Sequence, residues 1–193
     1  MNWTGLRTAF QHVVRRLCEF AVVLALGMAP MYGTTLERLS LDDLVAKSTA
    51  IVRGQVTGSY AAFRGPVIYT HYAVRVSEQF KGSSGSTVDV VVPGGTANNL
   101  RQMFSGTPKF QTGDEFVFFL WTGPSGLTQI MGLTQGLFQL SISASTVMAT
   151  RAASAELMLD PGNGRPVKDQ TLMLSLSDLK ARIANRLGRA EAR

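Results

Sequence analysis

The alternation of side chains over residues 68–77 constrains the fold of this chain more than any other feature. Ile68 and Val74 fall on one side of the alternation, and His71 and Arg75 fall on the other. A period of two puts successive side chains on opposite faces of a β-strand. We therefore predict a strand with one buried and one solvated face, which needs neighbouring strands and a core beneath it.

Several other segments have the patterns of strands. Residues 50–57 alternate in the same way, with Val52 and Val56 opposite Arg53, so we predict an antiparallel pair with the strand at 68–77. The run 115–121 is apolar on both faces, which is typical of a strand that is covered on both sides. Further strands are predicted at 87–92, 127–131 and 137–142. Short strands separated by glycine turns favour a β-barrel or a β-sandwich.

Two helices are predicted beside these strands. Over residues 39–48, Leu41 and Leu44 share one face, and Ser40 with Asp43 has the pattern of a capping box. After residue 177, leucine and isoleucine recur at helical spacing and the arginines lie away from that face. These helices are the expected covers of the strand that is apolar on both faces.

The formal charge of +6 does not indicate a protein that binds nucleic acid. Between residues 34 and 179 basic and acidic residues are equal in number, and the excess of basic residues lies at the two ends. A nucleic-acid-binding face needs cations clustered on the body of the domain. We therefore expect no nucleic-acid partner. With 193 residues and 45% hydrophobic content, the chain can build one domain around a real core.

Residues 1–33 have the order of a secretory signal peptide. Arg15 and Arg16 precede an apolar stretch over residues 20–29, and small residues follow. This stretch is shorter than the roughly 20 residues that a membrane-spanning helix needs. We predict export to the periplasm or the exterior after cleavage behind Ala29 or Gly33. An uncleaved membrane anchor and a buried helix of the domain are the alternatives.

The single cysteine, Cys18, lies in this predicted signal. A mature chain would then have no disulfide, no catalytic thiol and no thiolate metal site. His71 is the one histidine outside the predicted signal, so nitrogen ligands are scarce as well. We therefore expect neither a metal nor a cofactor.

The order of elements points to a fold family. A short leading helix is followed by residues 51–56, by residues 72–76 leading to Phe80-Lys81-Gly82, by a valine strand, and by residues 113–120. This order resembles the netrin-like, OB-type barrel of tissue inhibitors of metalloproteinases, and it resembles a set of uncharacterised exported bacterial proteins that share the late turn at 132–136. The resemblance covers about residues 39–140. The zinc-chelating N-terminal cysteine of those inhibitors has no counterpart in the predicted mature chain.

The resemblance implies a fold that more often binds than catalyses. We therefore predict a mainly β fold: a small antiparallel OB-like β-barrel over residues 34–142, with a short N-terminal helix and with a C-terminal helix packed outside. Residues 143–193 are predicted to form a peripheral hairpin and that basic C-terminal helix.

A long loop over residues 93–112 begins at Pro93-Gly94-Gly95. Neither a P-loop ending nor a dinucleotide-binding glycine pattern follows, so the glycines indicate a turn with positive φ and not a phosphate site. Amide, cationic and aromatic side chains on a long loop are typical of a binding surface. The predicted binding residues of this loop are Asn98, Asn99, Arg101, Gln102, Phe104 and Lys109. In the alternative, Met103, Phe104 and Phe110 fold back and plug one end of the barrel.

The polar face of the paired strands adds Arg53, His71 and Arg75 to the predicted binding surface. We predict from these residues an exported, non-enzymatic module that binds a protein or a polymer, with its oligomeric state left open. One alternative is a hydrolase in which His71 is the general base, with a serine and with Asp89 or Asp114, although no nucleophile-elbow spacing is present. Another is a membrane-tethered accessory protein, in contact with the membrane through its N-terminus or its basic C-terminal helix.

Overall fold

Most of the alternating segments pair into antiparallel strands. The computed structural model describes residues 34–191, which belong to one compact unit, Gly33–Arg193. The predicted signal at 1–33 lies outside the described residues. The strands are β1 (Thr35–Glu37), β2 (Ala50–Arg64), β3 (Val67–Lys81), β4 (Thr87–Pro93), β5 (Gly95–Ala97), β6 (Leu100–Gln102), β7 (Glu115–Thr122), β8 (Thr128–Ile130), β9 (Leu137–Ser143), β10 (Thr146–Arg151), β11 (Leu157–Leu159), β12 (Pro166–Val167) and β13 (Leu172–Ser175), and the helices are α1 (Leu41–Lys47) and α2 (Leu176–Glu191).

The main sheet is built around the two longest strands, β2 and β3. They form an antiparallel hairpin with Val56 opposite Val74, and irregularities in the register, one of them between Val56 and Gly58, bend it. The strand order is β13-β10-β9-β7-β2-β3-β4, and β8 also pairs with β7. The prediction of a mainly β, antiparallel fold is confirmed.

The sheet does not close into the predicted barrel. In the described part of the chain β4 forms one end of the strand order and β13 forms the other. β8 lies beside β4, with Cα atoms within 8 Å, but no hydrogen-bonded ladder joins these two strands. The physical reason is that β7 also pairs with β9, and β10 and β13 continue the sheet outward from β9, so that this end does not return to β4.

Strand β7 separates two apolar clusters. Phe118 and Leu120 point into a cluster formed with residues of β2, β3, β4 and β8. Val117 and Phe119 point to the opposite face, where they pack with residues of α1 and α2. All four side chains are fully buried, and burial of each of these large side chains contributes about 1.5–3 kcal/mol. The apolar pattern on both faces of residues 115–121 is therefore explained as predicted: the two helices cover the second face of this strand.

Helix α1 begins with the predicted capping box. The backbone N–H of Asp43 donates to Ser40 Oγ at 3.1 Å, and the backbone N–H of Ser40 donates to Asp43 Oδ2 at 3.0 Å. The hydrogen bond from the Ser40 side chain is the main cause that lowers the pKa of Asp43 from its usual value of 3.8. At the other end of the helix, Lys81 Nζ donates to the carbonyl of Val45 at 2.6 Å, which ties α1 to β3.

The C-terminal part of the chain completes the main sheet. β10 and β13 pair at its end, while β11 and β12 form the hairpin predicted there and join β1 in a small separate sheet. The predicted division after residue 142 falls inside β9, which is paired on both sides within the same compact unit. A buried ion pair of 2.6 Å between Arg151 Nη2 and Asp169 Oδ1 holds the segment between β10 and β13. Helix α2 buries Leu179 and Ile183 against the sheet.

Candidate functional site

The segment predicted as a long loop contains a small hairpin of β5 and β6. Asn98 and Asn99 form its turn, with φ of 49° and 61°. Two successive residues with positive φ make the tight turn that matches the twist of two short strands, and asparagine tolerates that conformation. Both asparagines are exposed at the tip of the hairpin, so their first role is to form the turn.

Two glycines at the start of the hairpin allow it to lie close over β3. Gly94 and Gly95 have φ of 98° and 137°, and both therefore adopt the positive φ that the sequence predicted for one of them. A Cβ on Gly95 would lie 2.5 Å from Thr70 Oγ1 and 3.0 Å from Ala61 Cβ, because the backbone passes close to the sheet. The glycine pair thus serves a close backbone approach.

Gln102 fastens the other strand of the hairpin. Its Oε1 accepts a hydrogen bond from the backbone N–H of Ile68 at 2.7 Å, and its Nε2 donates to the carbonyl of Pro66 at 2.9 Å. Directly before β5, the backbone N–H of Gly94 donates to the carbonyl of Ile68 at 2.7 Å. The side-chain amide that we predicted as a ligand contact is therefore engaged within the fold, and it positions the hairpin.

The apolar residues of the segment divide between the core and the surface. Phe110 packs edge-on against Tyr72 and Phe118, at centroid distances of 4.9 and 5.9 Å. Met103 and Phe104 are 73% and 45% exposed. Of the three residues that were predicted to fold back, Phe110 thus packs against the core, while Met103 and Phe104 are exposed to solvent, and a role of this segment in binding stays a prediction.

A pocket of about 460 Å³ lies between the hairpin and the ends of β3 and β4. We call it the loop pocket. Its lining contains two cationic side chains, Arg101 and Lys109, and no carboxylate. Neither cation forms a side-chain hydrogen bond or an ion pair with any residue between 34 and 191. Polar, cationic and apolar side chains are all part of this lining, among them Thr70, Tyr72, Arg101, Met103, Phe104 and Lys109.

The polar face of β2 and β3, which we call the outer strand face, has a different arrangement. Arg53 Nε donates to Glu115 Oε1 at 2.7 Å, and Arg75 Nη2 donates to Gln55 Oε1 at 2.9 Å. A third contact joins the predicted general base His71 to its neighbour on β4, with 2.7 Å between His71 Nδ1 and Asp89 Oδ2. Each predicted binding residue of this face therefore already has a partner.

The structure separates the predicted site residues into two groups. Arg53 of β2 and His71 and Arg75 of β3 lie on the outer strand face. The second group lines the loop pocket, where Thr70 and Tyr72 of β3 join it: Arg101, Gln102, Phe104 and Lys109. Because neighbouring side chains of a strand point to opposite faces, the two groups do not form one surface. Sequence reasoning missed Thr70 and Tyr72 as pocket residues, because only the hairpin folded over β3 makes them part of a pocket.

Two further expectations concern metals and membranes. Over residues 34–191 no group of three or more histidine, cysteine, aspartate or glutamate side chains is placed to hold a metal ion. None of the helices in that range has the length and apolarity to span a bilayer. Two cations of the basic helix α2 have acidic neighbours, with Lys180 Nζ 2.6 Å from Glu78 and Arg186 Nε 3.8 Å from Asp42.

Comparison of the chain with models of known protein families, with curated proteins and with solved structures finds no match.

Proposed function

We propose that the chain is an exported, non-enzymatic binding module that recognises a protein or a polymer through the loop pocket. The observation that carries this proposal is the pair of cations, Arg101 and Lys109, which have no side-chain partner among residues 34–191 and line a concave surface beside exposed Met103 and Phe104. Cationic and apolar groups that are exposed together in a cleft are suited to a ligand that carries anionic and apolar groups.

The anchoring of the hairpin supports the same proposal. The contacts of Gln102 and Gly94 with β3 hold the rim of the loop pocket in place before any ligand arrives. A preformed site costs less conformational entropy on binding than a loop that must first become ordered. The binding residues thus lie on a supported element.

An experiment on charge tests this function. The full chain and the variant Arg101→Ala/Lys109→Ala are immobilised and used to capture ligands from the exported fraction. A matched control, Arg165→Ala/Lys168→Ala, removes the same charge from exposed positions outside the pocket. We expect the pocket variant to lose the ligand and the control to keep it. Equal capture by all three chains would contradict the proposal.

Export is the second part of the proposal, and membrane tethering is its alternative. Sequencing the N-terminus of protein recovered outside the cytoplasm distinguishes the two. We expect a new N-terminus near residue 30 or 34. An intact Met1 in a membrane fraction would favour the tethered accessory protein.

We also propose that β2, β3, β4, β7 and β8 act as an OB-like support for the loop pocket. The close approach of β4 to β8, with Cα atoms within 8 Å, favours this barrel-like description, although no ladder closes the strands among the described residues. A pocket of about 190 Å³ occupies the junction between these two strands.

A hydrolase is the second candidate function, and the 2.7 Å contact between His71 Nδ1 and Asp89 favours it. A carboxylate on Nδ1 orients the ring so that Nε2 can accept a proton. The ring of Tyr60 stacks on His71 at 4.6 Å. Hydrolytic activity that disappears in His71→Ala, but not in Tyr60→Ala, would support this function. Activity that survives His71→Ala would remove the proposed base.

A further inference from the structure

Among residues 34–191 the backbone groups of Arg101, like its side chain, have no hydrogen-bond partner. The two-residue turn of the hairpin makes Ala97 and Leu100 its closing pair, and the closing pair of such a turn is hydrogen-bonded. Hydrogen-bonded and non-hydrogen-bonded pairs alternate along an antiparallel ladder. The next pair, Thr96 and Arg101, is therefore non-hydrogen-bonded, and the backbone N–H and C=O of Arg101 point away from β5.

The edge of β6 to which these groups point is open. Within residues 34–191, β5 and β6 form a sheet of two strands, and neither backbone group of Arg101 bonds to a residue outside the hairpin. Arg101 is exposed. An open strand edge is a template for pairing with an extended polypeptide.

We propose that the loop pocket takes an extended, acidic polypeptide segment that adds a strand to the free edge of β6. This inference rests on the proposed function and names the class of partner. One ligand residue pairs with the backbone N–H and C=O of Arg101. Acidic side chains of the ligand bind the Arg101 guanidinium and the Lys109 ammonium, and an apolar side chain covers Met103 and Phe104.

The positive charge of the loop pocket favours an acidic ligand. Arg101 and Lys109 have no carboxylate beside them in the pocket lining. A ligand carboxylate therefore meets two cations without repulsion, and guanidinium binds carboxylate through strong charge-assisted hydrogen bonds. A basic segment would meet two like charges there.

The strand edge selects a polypeptide over an acidic polysaccharide. A polysaccharide supplies carboxylates, but it has no row of N–H and C=O groups at strand spacing. Its hydroxyl groups can pair with the backbone of Arg101, but they do not repeat at strand spacing, and a backbone group that is left unpaired is costly once water is excluded. An extended polypeptide therefore matches the side chain and the backbone of this residue together better than an acidic polysaccharide does.

Selection of random short peptides displayed on phage tests the inference. The full chain is the bait, and the Arg101→Ala/Lys109→Ala variant removes peptides that bind elsewhere. We expect enriched peptides in which acidic and apolar residues occur together. Replacement of the acidic residues by their amides should weaken binding roughly tenfold, as expected for the loss of one charged hydrogen bond. The variant Arg101→Glu/Lys109→Glu should instead select basic peptides.

Hydrogen exchange tests the pairing with β6. Peptide binding should slow exchange of the Arg101 amide, while the amide of Thr96, which points out from the opposite edge of the hairpin, serves as the internal control. Protection of Thr96 in place of Arg101 would overturn the proposed geometry. Enriched peptides without acidic residues would overturn the proposed chemistry.

Failure of this inference can be distinguished from failure of the proposed function. One result would be that no peptide is enriched, but that polygalacturonate binds with the same dependence on Arg101 and Lys109. The inference of a polypeptide partner would then be wrong, while the proposed binding through the loop pocket would remain. If the double variant binds every such ligand as tightly as the unchanged chain, the loop pocket is not the site and both proposals fail. Equal thermal stability of the variants is the control for folding.

Discussion

Arg53 and Arg101 are both strand arginines near the surface, but their surroundings differ. Arg53 donates to Glu115 at 2.7 Å, and its side chain is 27% exposed. Arg101 is exposed in the loop pocket and has no ion pair in the described chain. A ligand at Arg53 must replace an existing partner, whereas a ligand at Arg101 displaces no ion-pair partner among residues 34–191. Polar character therefore does not by itself mark a binding surface, and the difference lies in which groups are already paired.

The largest expected difference in stability is between two aromatic residues of the 93–112 segment, one packed against the core and one exposed. Phe110 packs among Tyr72, Phe116 and Phe118, so Phe110→Ala should lower the free energy of unfolding by about 3 kcal/mol through the cavity it leaves. Phe104 is 45% exposed, and Phe104→Ala should change it by less than about 0.5 kcal/mol. Urea unfolding of both variants measures the difference. Equal losses would mean that Phe104 belongs to the core.

Gln102 tests whether the hairpin is held by the sheet. Gln102→Ala removes two hydrogen bonds to the backbone of residues 66 and 68, and it should cost about 1–2 kcal/mol of stability. It should also raise the hydrogen exchange rates of β5 and β6. Gln111→Ala is the control, since that residue is exposed. Unchanged exchange in Gln102→Ala would show that other contacts position the hairpin.

The two arginines provide a direct and smaller test. Arg53→Ala should lower stability by about 0.5–1 kcal/mol, because it breaks a partly buried ion pair. Arg101→Ala should leave stability unchanged and weaken ligand binding. Thermal unfolding at low and high salt measures the first effect, which should shrink as salt increases. A destabilised Arg101→Ala would contradict the contrast between the two surfaces.

The smallest expected effect on stability comes from Asp43, a carboxylate that is already paired within the fold at the start of helix α1. The hydrogen bond from Ser40 lowers the pKa of Asp43 in the folded protein below its usual 3.8. Its contribution to stability is therefore fully present above the unfolded pKa and is lost as pH falls through the folded pKa. Because the Asp43 carboxylate is only partly buried, we expect this contribution to be about 0.5 kcal/mol. Unfolding at neutral and acidic pH should show this loss in the unchanged chain and not in Asp43→Asn.

Much of the local structure was predictable from the sequence. The alternation around Val74, the capping box at Ser40 and the apolar pattern at Phe118 and Phe119 each have a short-range physical cause, and each is present in the structure. The closure of the sheet was not predictable, because it depends on which strand pairs with β7 on its second edge. The OB-like barrel, the signal peptide and the binding function remain predictions.

The candidate site was predictable in composition and not in arrangement. The sequence pointed to Arg101, Lys109 and Phe104 as a group, and these residues line one pocket. It also pointed to Gln102, Arg53 and His71, whose side chains are engaged by other residues of the chain. A side chain's partners come from distant segments, so a sequence pattern identifies which groups are polar but not which remain unpaired.

The sequence by itself determined the mainly β class, the strand faces, the presence of two helices and the start of the first, because these follow from side-chain periodicity and from contacts three or four residues apart. Only the tertiary structure decided that Phe110 enters the core while Phe104 stays outside, and that the hairpin folds over β3 to form the loop pocket. The physical reason is that both outcomes depend on packing between segments far apart in the chain, where shape and available partners decide which side chains are buried.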